Sequence, residues 1–344
     1  MPAESATILA YSDLELMGDG FMKIPFLRAL RGTWPRARIT WLAGKGKTVY
    51  ASLLKPLVEA YLDEIIEDGG MRSDIVGILR PPLRGRRFDL VIDTQRHVRT
   101  TLVLSRVRHG KFVSGAANFW LSDIRPRGRY RKPALMIERL LDLIRVASGH
   151  DPIFAPPPTI PPEYDAAARV ALPDGEIYVG LVPGAGGIHK CWPRASYVGL
   201  ASHVRTLGAR AVFLLGPMEQ AWAEALSAAV PDARFPLQDE RVSRAIAASP
   251  LFTLAIGKRL AFAVTNDCGT AHILAAAEAP LLSLFGPTNS AKMAPATPDL
   301  TIIKARDFGS DSMEAIPLGA VSAALEEMLA RLSRYPAGRI GTGS

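Results

Sequence analysis

The chain has 344 residues, 48% of them hydrophobic and 22% charged. That is enough for about two globular domains, and it excludes a disordered chain or a small disulfide-bonded scaffold. The two cysteines are too few for a disulfide framework. The formal net charge of +8 favours anionic partners, so nucleic acid, phospholipid and nucleotide sugars all stay open.

Apolar runs of strand length alternate with segments of helical periodicity along the whole chain. Strands are predicted at residues 7–11, 39–43, 90–93, 111–115, 177–182, 211–215, 262–264 and 281–285. Helices are predicted at residues 26–31, 48–57, 134–146, 197–207, 219–229 and 270–277. This alternation predicts an α/β fold built on doubly wound parallel sheets.

A proline-rich segment separates the two halves of the chain. Residues 151–162 contain six prolines, which argue against a helix or a central strand. The predicted organisation is a first domain at 1–151, a linker at 152–163, a second domain at 164–335 and a flexible tail at 336–344. Two such domains on a stiff hinge are expected to face a cleft, with ligands at the carboxyl ends of the strands.

Several familiar motifs are absent or incomplete. Gly44-Lys-Gly-Lys-Thr48 resembles the end of a nucleotide-binding P-loop, but Trp41 stands where that motif needs glycine. The glycines from Gly184 onward lack the third glycine of a dinucleotide fingerprint, since His189 takes its place. No D-x-D sequence occurs, so we predict neither a metal site nor any other cofactor.

Three other segments each follow a predicted strand. In the first, residues 17–25, glycines flank Asp19 and allow a ligand to approach it closely. A helix N-cap is an equally good interpretation of Asp19. In the second, residues 182–193, the glycine-rich turn at Gly184 and the charge of Lys190 suit a phosphate group. The alternative there is a surface turn with a solvated lysine.

The third segment, residues 265–272, places polar side chains around one predicted helix N-terminus. They are Asp267, Gly269, Thr270 and His272. Such an end binds phosphate through its free N–H groups, and a carboxylate there accepts hydrogen bonds from sugar hydroxyls. The alternative is that Asp267 caps the helix while His272 is a half-buried helical residue.

In three motifs taken together, the chain resembles glycosyltransferase family 9, best known for the lipopolysaccharide heptosyltransferases. The motifs are G-D before a helix that contains I-P, then P-G-A…K-x-W-P, and finally D-x-G-x-x-H followed by F-G-P-T. The resemblance extends from about residue 8 to about residue 332. It implies the GT-B architecture of two Rossmann-like domains, and a metal-independent reaction that inverts the anomeric centre. The implied substrates are ADP-heptose and a lipopolysaccharide-type glycolipid.

Carried over residue by residue, the resemblance makes Asp19 the general base. The implied donor-binding residues are Gly184, Lys190, Glu219, Asp267, Gly269, Thr270, His272 and Thr288. Glu219 falls where the family often has a carboxylate for the ribose, although an exposed first-turn residue is an equal interpretation. The chain departs from the family at Cys268, where Ser or Thr is common, and at residues 14–17, which are not small and polar.

The first half also carries a concentrated positive charge. Residues 80–132 contain fourteen Lys or Arg against three Asp or Glu. We predict that Lys23, Arg96, Arg99 and Arg129 bind an anionic glycolipid acceptor, although an ordinary solvated surface is the alternative. No signal peptide or membrane span is evident, which predicts a cytoplasmic enzyme. The basic segment predicts peripheral contact with an anionic membrane.

Two rival functions remain at this stage. A nucleotide-sugar epimerase on the same fold would need no glycan acceptor. A nucleic-acid-binding protein would explain the sequence pI of about 9.6. However, the sequence has no recognisable nucleic-acid-binding motif, and we expect no nucleic acid among the partners. A family member that binds nucleotide without catalysis is disfavoured by the presence of Asp19.

Overall fold

The computed structural model describes residues 6–44, 46–69, 71, 82–83 and 85–334. The chain divides into two compact units, Met1–Thr159 and Ile160–Ser344. The division falls within the proline-rich segment. One detail of the predicted linker is wrong, because a helix already begins at Pro162. Proline is well suited to the first position of a helix, where its missing N–H removes no hydrogen bond.

The first unit is built on one sheet of parallel strands. Its strands are β1 (Thr7–Ser12), β2 (Arg38–Ala43), β3 (Glu64–Ile66), β4 (Arg87–Asp93) and β5 (Arg108–Ser114). They lie in the order β3-β2-β1-β4-β5, and each neighbouring pair is parallel. The carboxyl ends of the strands therefore share one edge.

Helices in the described part of the first unit connect the strands of this sheet. They are α1 (Met17–Met22), α2 (Ile24–Thr33), α3 (Lys55–Val58), α4 (Val98–Leu104) and α5 (Met136–Ser148). Helix α5 packs against α2 and buries Ile137, Leu140, Leu141 and Ile144 on one face. Burial of each such side chain stabilises the fold by about 1.5–3 kcal/mol.

The second unit repeats this arrangement. Its strands are β6 (Tyr178–Val182), β7 (Arg210–Phe213), β8 (Phe262–Asn266), β9 (Leu281–Phe285) and β10 (Leu300–Lys304). They lie in the order β10-β9-β8-β6-β7, and all neighbouring pairs are parallel. The central strands β6, β8 and β9 are buried at every residue, as expected of strands covered on both faces.

The helices of the second unit connect and cover these strands. They are α6 (Pro162–Ala171), α7 (Arg194–Thr206), α8 (Ala223–Ala229), α9 (Arg244–Ala247), α10 (Pro250–Gly257), α11 (Gly269–Ala276), α12 (Ser290–Met293) and α13 (Leu318–Arg334). All eight residues of α10 are buried, and α10 packs between α6 and α11. Within the described residues, no helix is both long and apolar enough to cross a bilayer.

The predicted α/β class, with two Rossmann-like parallel sheets, is confirmed. One predicted helix is largely wrong. Residues 48–57 form a 3-10 turn at Val49–Ala51 and the first three residues of the four-residue helix α3. Thr48 caps the 3-10 turn, because its hydroxyl accepts a hydrogen bond from the Tyr50 N–H, and Ser52 has a non-helical backbone that separates the turn from α3.

Candidate active site

Asp19 lies in the first turn of α1, just beyond the carboxyl end of β1. This corrects the expectation of a glycine-flanked loop, because Gly18 and Gly20 are themselves helical. The helix N-cap is Leu16, so Asp19 is not the cap either. Gly20 is required by packing: a Cβ atom there would lie 2.7 Å from Cγ2 of Val49. Asp19 itself remains partly exposed.

A buried ion pair brackets the helix that carries Asp19. The Lys23 ammonium, at the C-cap of α1, lies 3.2 Å from a carboxylate oxygen of Glu15 and donates to the Ser12 hydroxyl at 2.6 Å. The other Glu15 oxygen accepts from the Thr48 hydroxyl at 2.7 Å. Lys23 was predicted to bind acceptor, but its side chain is only 8% exposed. Its ammonium group pairs with buried side chains of the same unit, and contact with an acceptor stays a prediction.

Asp93, at the end of β4, is a second buried carboxylate on this edge. It accepts hydrogen bonds from the Thr101 hydroxyl at 2.6 Å, the Ser114 hydroxyl at 2.8 Å and the Gln95 N–H at 2.9 Å. Burial raises the pKa of Asp93 to about 6, although these hydrogen bonds lower it again in part. Because its oxygens are all occupied by neighbouring groups of the same unit, Asp93 is a structural residue.

Of the three arginines predicted to bind acceptor, Arg99 and Arg129 are exposed and Arg96 is half-buried. The Arg96 guanidinium lies against Gly115, where a Cβ atom would be 3.2 Å from its Cζ atom. Burial and Asp142 raise the pKa of Tyr130, the residue next to Arg129, and the nearby Arg96 side chain lowers it in part. Arg99 lies on α4, which begins two residues after Arg96. The structure therefore joins Arg96 to the segment that contains Arg129.

In the second unit, the structure joins two of the predicted donor-binding segments. The Lys190 ammonium lies 3.0 Å from Asp267 Oδ2, and the two side chains are 31% and 11% exposed. Asp267 precedes α11, whose N-cap is Cys268 without a side-chain hydrogen bond. Neither alternative for these residues holds, since Lys190 is not a freely solvated lysine and Asp267 is not the helix cap.

The first turn of α11 is accessible at this edge. Gly269 is exposed and Thr270 is partly exposed, whereas His272 is buried in the helix. Burial of its sulfur raises the pKa of the Cys268 thiol to about 12, so the thiol is protonated at neutral pH. Thr288 lies partly exposed in the turn after β9, the strand that neighbours β8. A helix N-terminus that follows the Lys190–Asp267 pair is suited to bind an anion.

Glu219 lies beside two glycines that follow neighbouring strands. A Cβ atom at Gly184 would lie 2.3 Å from its carboxyl carbon, and one at Gly216 would lie 3.0 Å from Oε2. Burial raises the pKa of Glu219, and hydrogen bonds from the N–H groups of Glu219 and Gly216 oppose this. Gly184 therefore admits the carboxylate to the edge of the sheet. The partly buried Glu219 is not the fully exposed residue of the alternative interpretation.

Asn266, which sequence analysis did not single out, connects these segments. Its Oδ1 atom accepts hydrogen bonds from the backbone N–H of Trp192 at 3.2 Å and from the Tyr197 hydroxyl at 3.1 Å. Its Nδ2 group donates to the Pro183 carbonyl at 2.8 Å. The adjacent Asp267 drew attention as a charged residue, but a buried polar Asn at the end of an apolar strand is itself a signal of such a role.

The match to a known family covers most of the chain. The model of "Glycosyltransferase family 9 (heptosyltransferase)" matches residues 77–314. A lipooligosaccharide heptosyltransferase 2 of Haemophilus influenzae is 26% identical over 305 residues, which are 84% of this chain and 86% of that protein.

Solved structures show the same fold. A family 9 glycosyltransferase from Veillonella parvula aligns with a TM-score of 0.68 at 18% identity, covering 96% of this chain and 99% of its own. The E. coli ADP-heptose lipopolysaccharide heptosyltransferase II aligns with a TM-score of 0.63 at 19% identity, covering 95% and 99%. The E. coli heptosyltransferase WaaC with ADP aligns with a TM-score of 0.65 at 17% identity, covering 94% and 99%.

Proposed function

The chain belongs to glycosyltransferase family 9, and from this premise we propose that it transfers heptose from ADP-heptose to a hydroxyl of a lipopolysaccharide-type glycolipid. The names of the similar proteins support this choice of donor and acceptor. The observation that carries the proposal is the cluster at the carboxyl edge of the second sheet, where Lys190, Asp267 and the first turn of α11 come together.

The donor is bound by the second unit. Lys190 and the N-terminus of α11 at Gly269 and Thr270 hold the diphosphate, because a cation and a helix N-terminus both attract that anion. Asp267 exchanges its bond with Lys190 for hydrogen bonds from the transferred sugar. Glu219 accepts hydrogen bonds from the ribose hydroxyls, for which an ionised carboxylate has two acceptor oxygens.

The acceptor is activated by the first unit. A sugar hydroxyl is a weak acid, so it needs a base to take its proton as its oxygen attacks the anomeric carbon. Asp19 is that base, since it is the partly exposed carboxylate held by α1 at the end of β1. Attack from the face opposite the diphosphate breaks the bond between sugar and phosphate and inverts the anomeric centre.

The leaving group is stabilised without a metal ion. Negative charge develops on the departing ADP, and fixed positive groups that face it lower the barrier. Lys190 and the N-terminus of α11 supply those groups. The sequence has no D-x-D pair that would hold a metal cation in their place. Membership of the family supports transfer over the epimerase alternative.

A direct test combines binding and turnover. We expect ADP to raise the melting temperature more than UDP, GDP or CMP does, because a ligand at 100 times its Kd adds about 2.7 kcal/mol to the unfolding free energy. With ADP-heptose and a heptose-deficient lipopolysaccharide acceptor in excess EDTA, free ADP and extended glycan are expected in equal amounts.

Three results would contradict parts of the proposal. If the chain binds another nucleotide more tightly than ADP, the donor is not an ADP-linked sugar. Sugar conversion without an acceptor points to epimerisation. Loss of transfer in EDTA with recovery in Mg²⁺ makes the reaction metal-dependent.

A further inference from the structure

Trp120 stands out among the tryptophans of the chain by its exposure. It is 70% exposed, whereas Trp41 and Trp192 are at most 1% exposed. A single exposed apolar side chain is ordinary, whereas several in one region mark an interaction site. The position of Trp120 on the first unit therefore calls for an account of what it contacts.

The backbone before Trp120 is held in an unusual conformation. Ala117, Asn118 and Phe119 have φ angles of 46°, 54° and 66°, which is the left-handed region. Each such L-residue costs roughly 1–2 kcal/mol. Phe119 secures the turn, because it is buried and its ring meets the Tyr130 ring edge-on at 5.0 Å. The result is a fixed turn that carries an exposed Trp120, and strain of this kind is found mostly at functional sites.

Exposed aliphatic side chains lie on the neighbouring helix. Helix α4 contacts the 3-10 turn Ala116–Phe119. Val98 and Leu102 are one helical turn apart on α4 and are 48% and 43% exposed. Together with Trp120 they supply three large apolar side chains to the surface of this region.

Cations surround the same turn. The Arg125 guanidinium donates to the Trp120 carbonyl at 3.1 Å, and the Tyr130 contact with Phe119 brings in the segment between Arg129 and Arg131. Four further arginines close to this turn in sequence, Arg99, Arg127, Arg129 and Arg131, are exposed. Between residues 94 and 132 the sequence has ten Lys or Arg and one acidic residue, Asp123.

We propose that Trp120, Val98, Leu102 and the surrounding arginines form a docking surface for an anionic lipid bilayer. Tryptophan is favoured at the interface between headgroups and acyl chains, where aliphatic side chains are also buried. Basic side chains are attracted to anionic headgroups. Single-stranded nucleic acid would use the cations and the aromatic ring but would leave Val98 and Leu102 exposed.

This surface extends the proposed function, because a bilayer holds the glycolipid acceptor beside the first unit. Docking can nevertheless be measured without donor or acceptor, so it succeeds or fails independently of transfer. The whole chain is mixed with vesicles of phosphatidylglycerol and phosphatidylcholine, or of phosphatidylcholine alone, and bound protein is measured by sedimentation.

The parent chain is expected to bind the anionic vesicles with a blue shift of tryptophan emission. Trp120→Ser should abolish the shift and weaken binding about tenfold. Arg127→Glu with Arg131→Glu should weaken binding by at least about 25-fold, which corresponds to ~1 kcal/mol for each lost cation. Binding of the parent should also fall in 0.5 M salt, where charges are screened.

Matched controls lie in the second unit. Phe308→Ser removes an aromatic side chain that is 40% exposed, and Lys258→Glu with Lys304→Glu reverses two exposed cations. Both should bind vesicles like the parent. Trp120→Ser should retain the parent's melting temperature and its rate of transfer to a water-soluble acceptor glycan.

Three outcomes would overturn the docking surface: equal vesicle binding by the parent and both docking-surface variants, tighter binding to a single-stranded oligonucleotide than to vesicles, or a dimer of the parent that the Trp120→Ser variant no longer forms.

Discussion

Each of the two sheets has an ion pair near the carboxyl ends of its strands, but the two pairs differ in their exposure to water. In the first unit, the side chains of Glu15 and Lys23 are 0% and 8% exposed. In the second unit, those of Asp267 and Lys190 are 11% and 31% exposed. A buried pair cannot exchange its partners for a ligand without leaving a charge unsolvated, whereas a half-exposed pair can.

This difference assigns different tasks to the two edges. In the first unit, the Glu15–Lys23 pair fixes the two ends of α1 and thereby the position of Asp19. In the second unit, the Lys190–Asp267 pair joins two loops, and under the proposed function an anion takes over one of the partners. The predictions below test this contrast, beginning with the largest effect.

Asp19→Asn should lower kcat by two to four orders of magnitude, because general-base assistance contributes about 10²- to 10⁴-fold. ADP affinity should stay at the parent value, since the change lies in the first unit. Steady-state transfer and calorimetric titration measure the two quantities. Glu59→Gln, an exposed carboxylate of the same unit, is the matched control. Parental turnover in Asp19→Asn would move the base elsewhere, with Asp13 the next to be replaced.

Lys23→Met should lower the unfolding free energy by about 3–5 kcal/mol, because it leaves the Glu15 carboxylate buried without a cation. Urea unfolding measures this change. Adding Glu15→Gln to Lys23→Met should recover much of the loss, since the buried charge is then gone. If the single variant is as stable as the parent, Glu15 reaches water and the pair does not fix α1.

Asp93 provides a test of a buried carboxylate whose hydrogen-bond donors, two hydroxyls and a backbone N–H, are uncharged. Its pKa is raised to about 6, so between about pH 4 and 6 the folded chain binds a proton that the unfolded chain has lost. The unfolding free energy should fall by ~3 kcal/mol as pH rises through this window and then level off. The comparison of parent with Asp93→Asn at each pH isolates this contribution. A flat difference would show that Asp93 ionises at its ordinary pKa.

Lys190→Met should have the smallest effect on stability, at most about 1 kcal/mol, because its pair is half-exposed. It should weaken ADP binding by about 10- to 100-fold, the range expected for one lost charge-assisted hydrogen bond. Lys258→Met is the matched control at an exposed lysine of the same unit. Parental ADP affinity in Lys190→Met would separate this residue from the phosphates.

Sequence patterns predicted the central strands well because β1, β6, β8 and β9 are short apolar runs. They failed at a helix that is apolar on all sides, at two partly buried edge strands and at a segment where local signals conflicted. Helix α10 is apolar on every side and therefore shows no helical periodicity. The edge strands β3 and β10 are only partly buried and lack the continuous apolar pattern of the centre. Residues 48–57 looked helical by composition, but the Thr48 side chain and the Ser52 backbone divide the segment.

From the sequence, the loops that form the candidate site could be placed, but the contacts between their side chains could not. Strand ends in a parallel sheet share an edge, so the segments around Lys190 and Asp267 could be placed together from sequence. Their ion pair could not, because its partners are 77 residues apart and compete with many other charges. Asp19 was assigned to a loop because glycines flank it, yet the helix tolerates Gly20 for the sake of close packing.

The bonds of Asn266 have a consequence for the rate and strength of donor capture. One side-chain amide ties the end of β8 to the segments before and after the glycine-rich turn. Ordering a loop on binding consumes part of the interaction energy, at roughly 0.5–1.5 kcal/mol for each immobilised side chain. Because Asn266 holds these segments in the unliganded chain, little conformational entropy is left to lose. A nucleotide sugar should therefore find its pocket already assembled and associate in a single kinetic step.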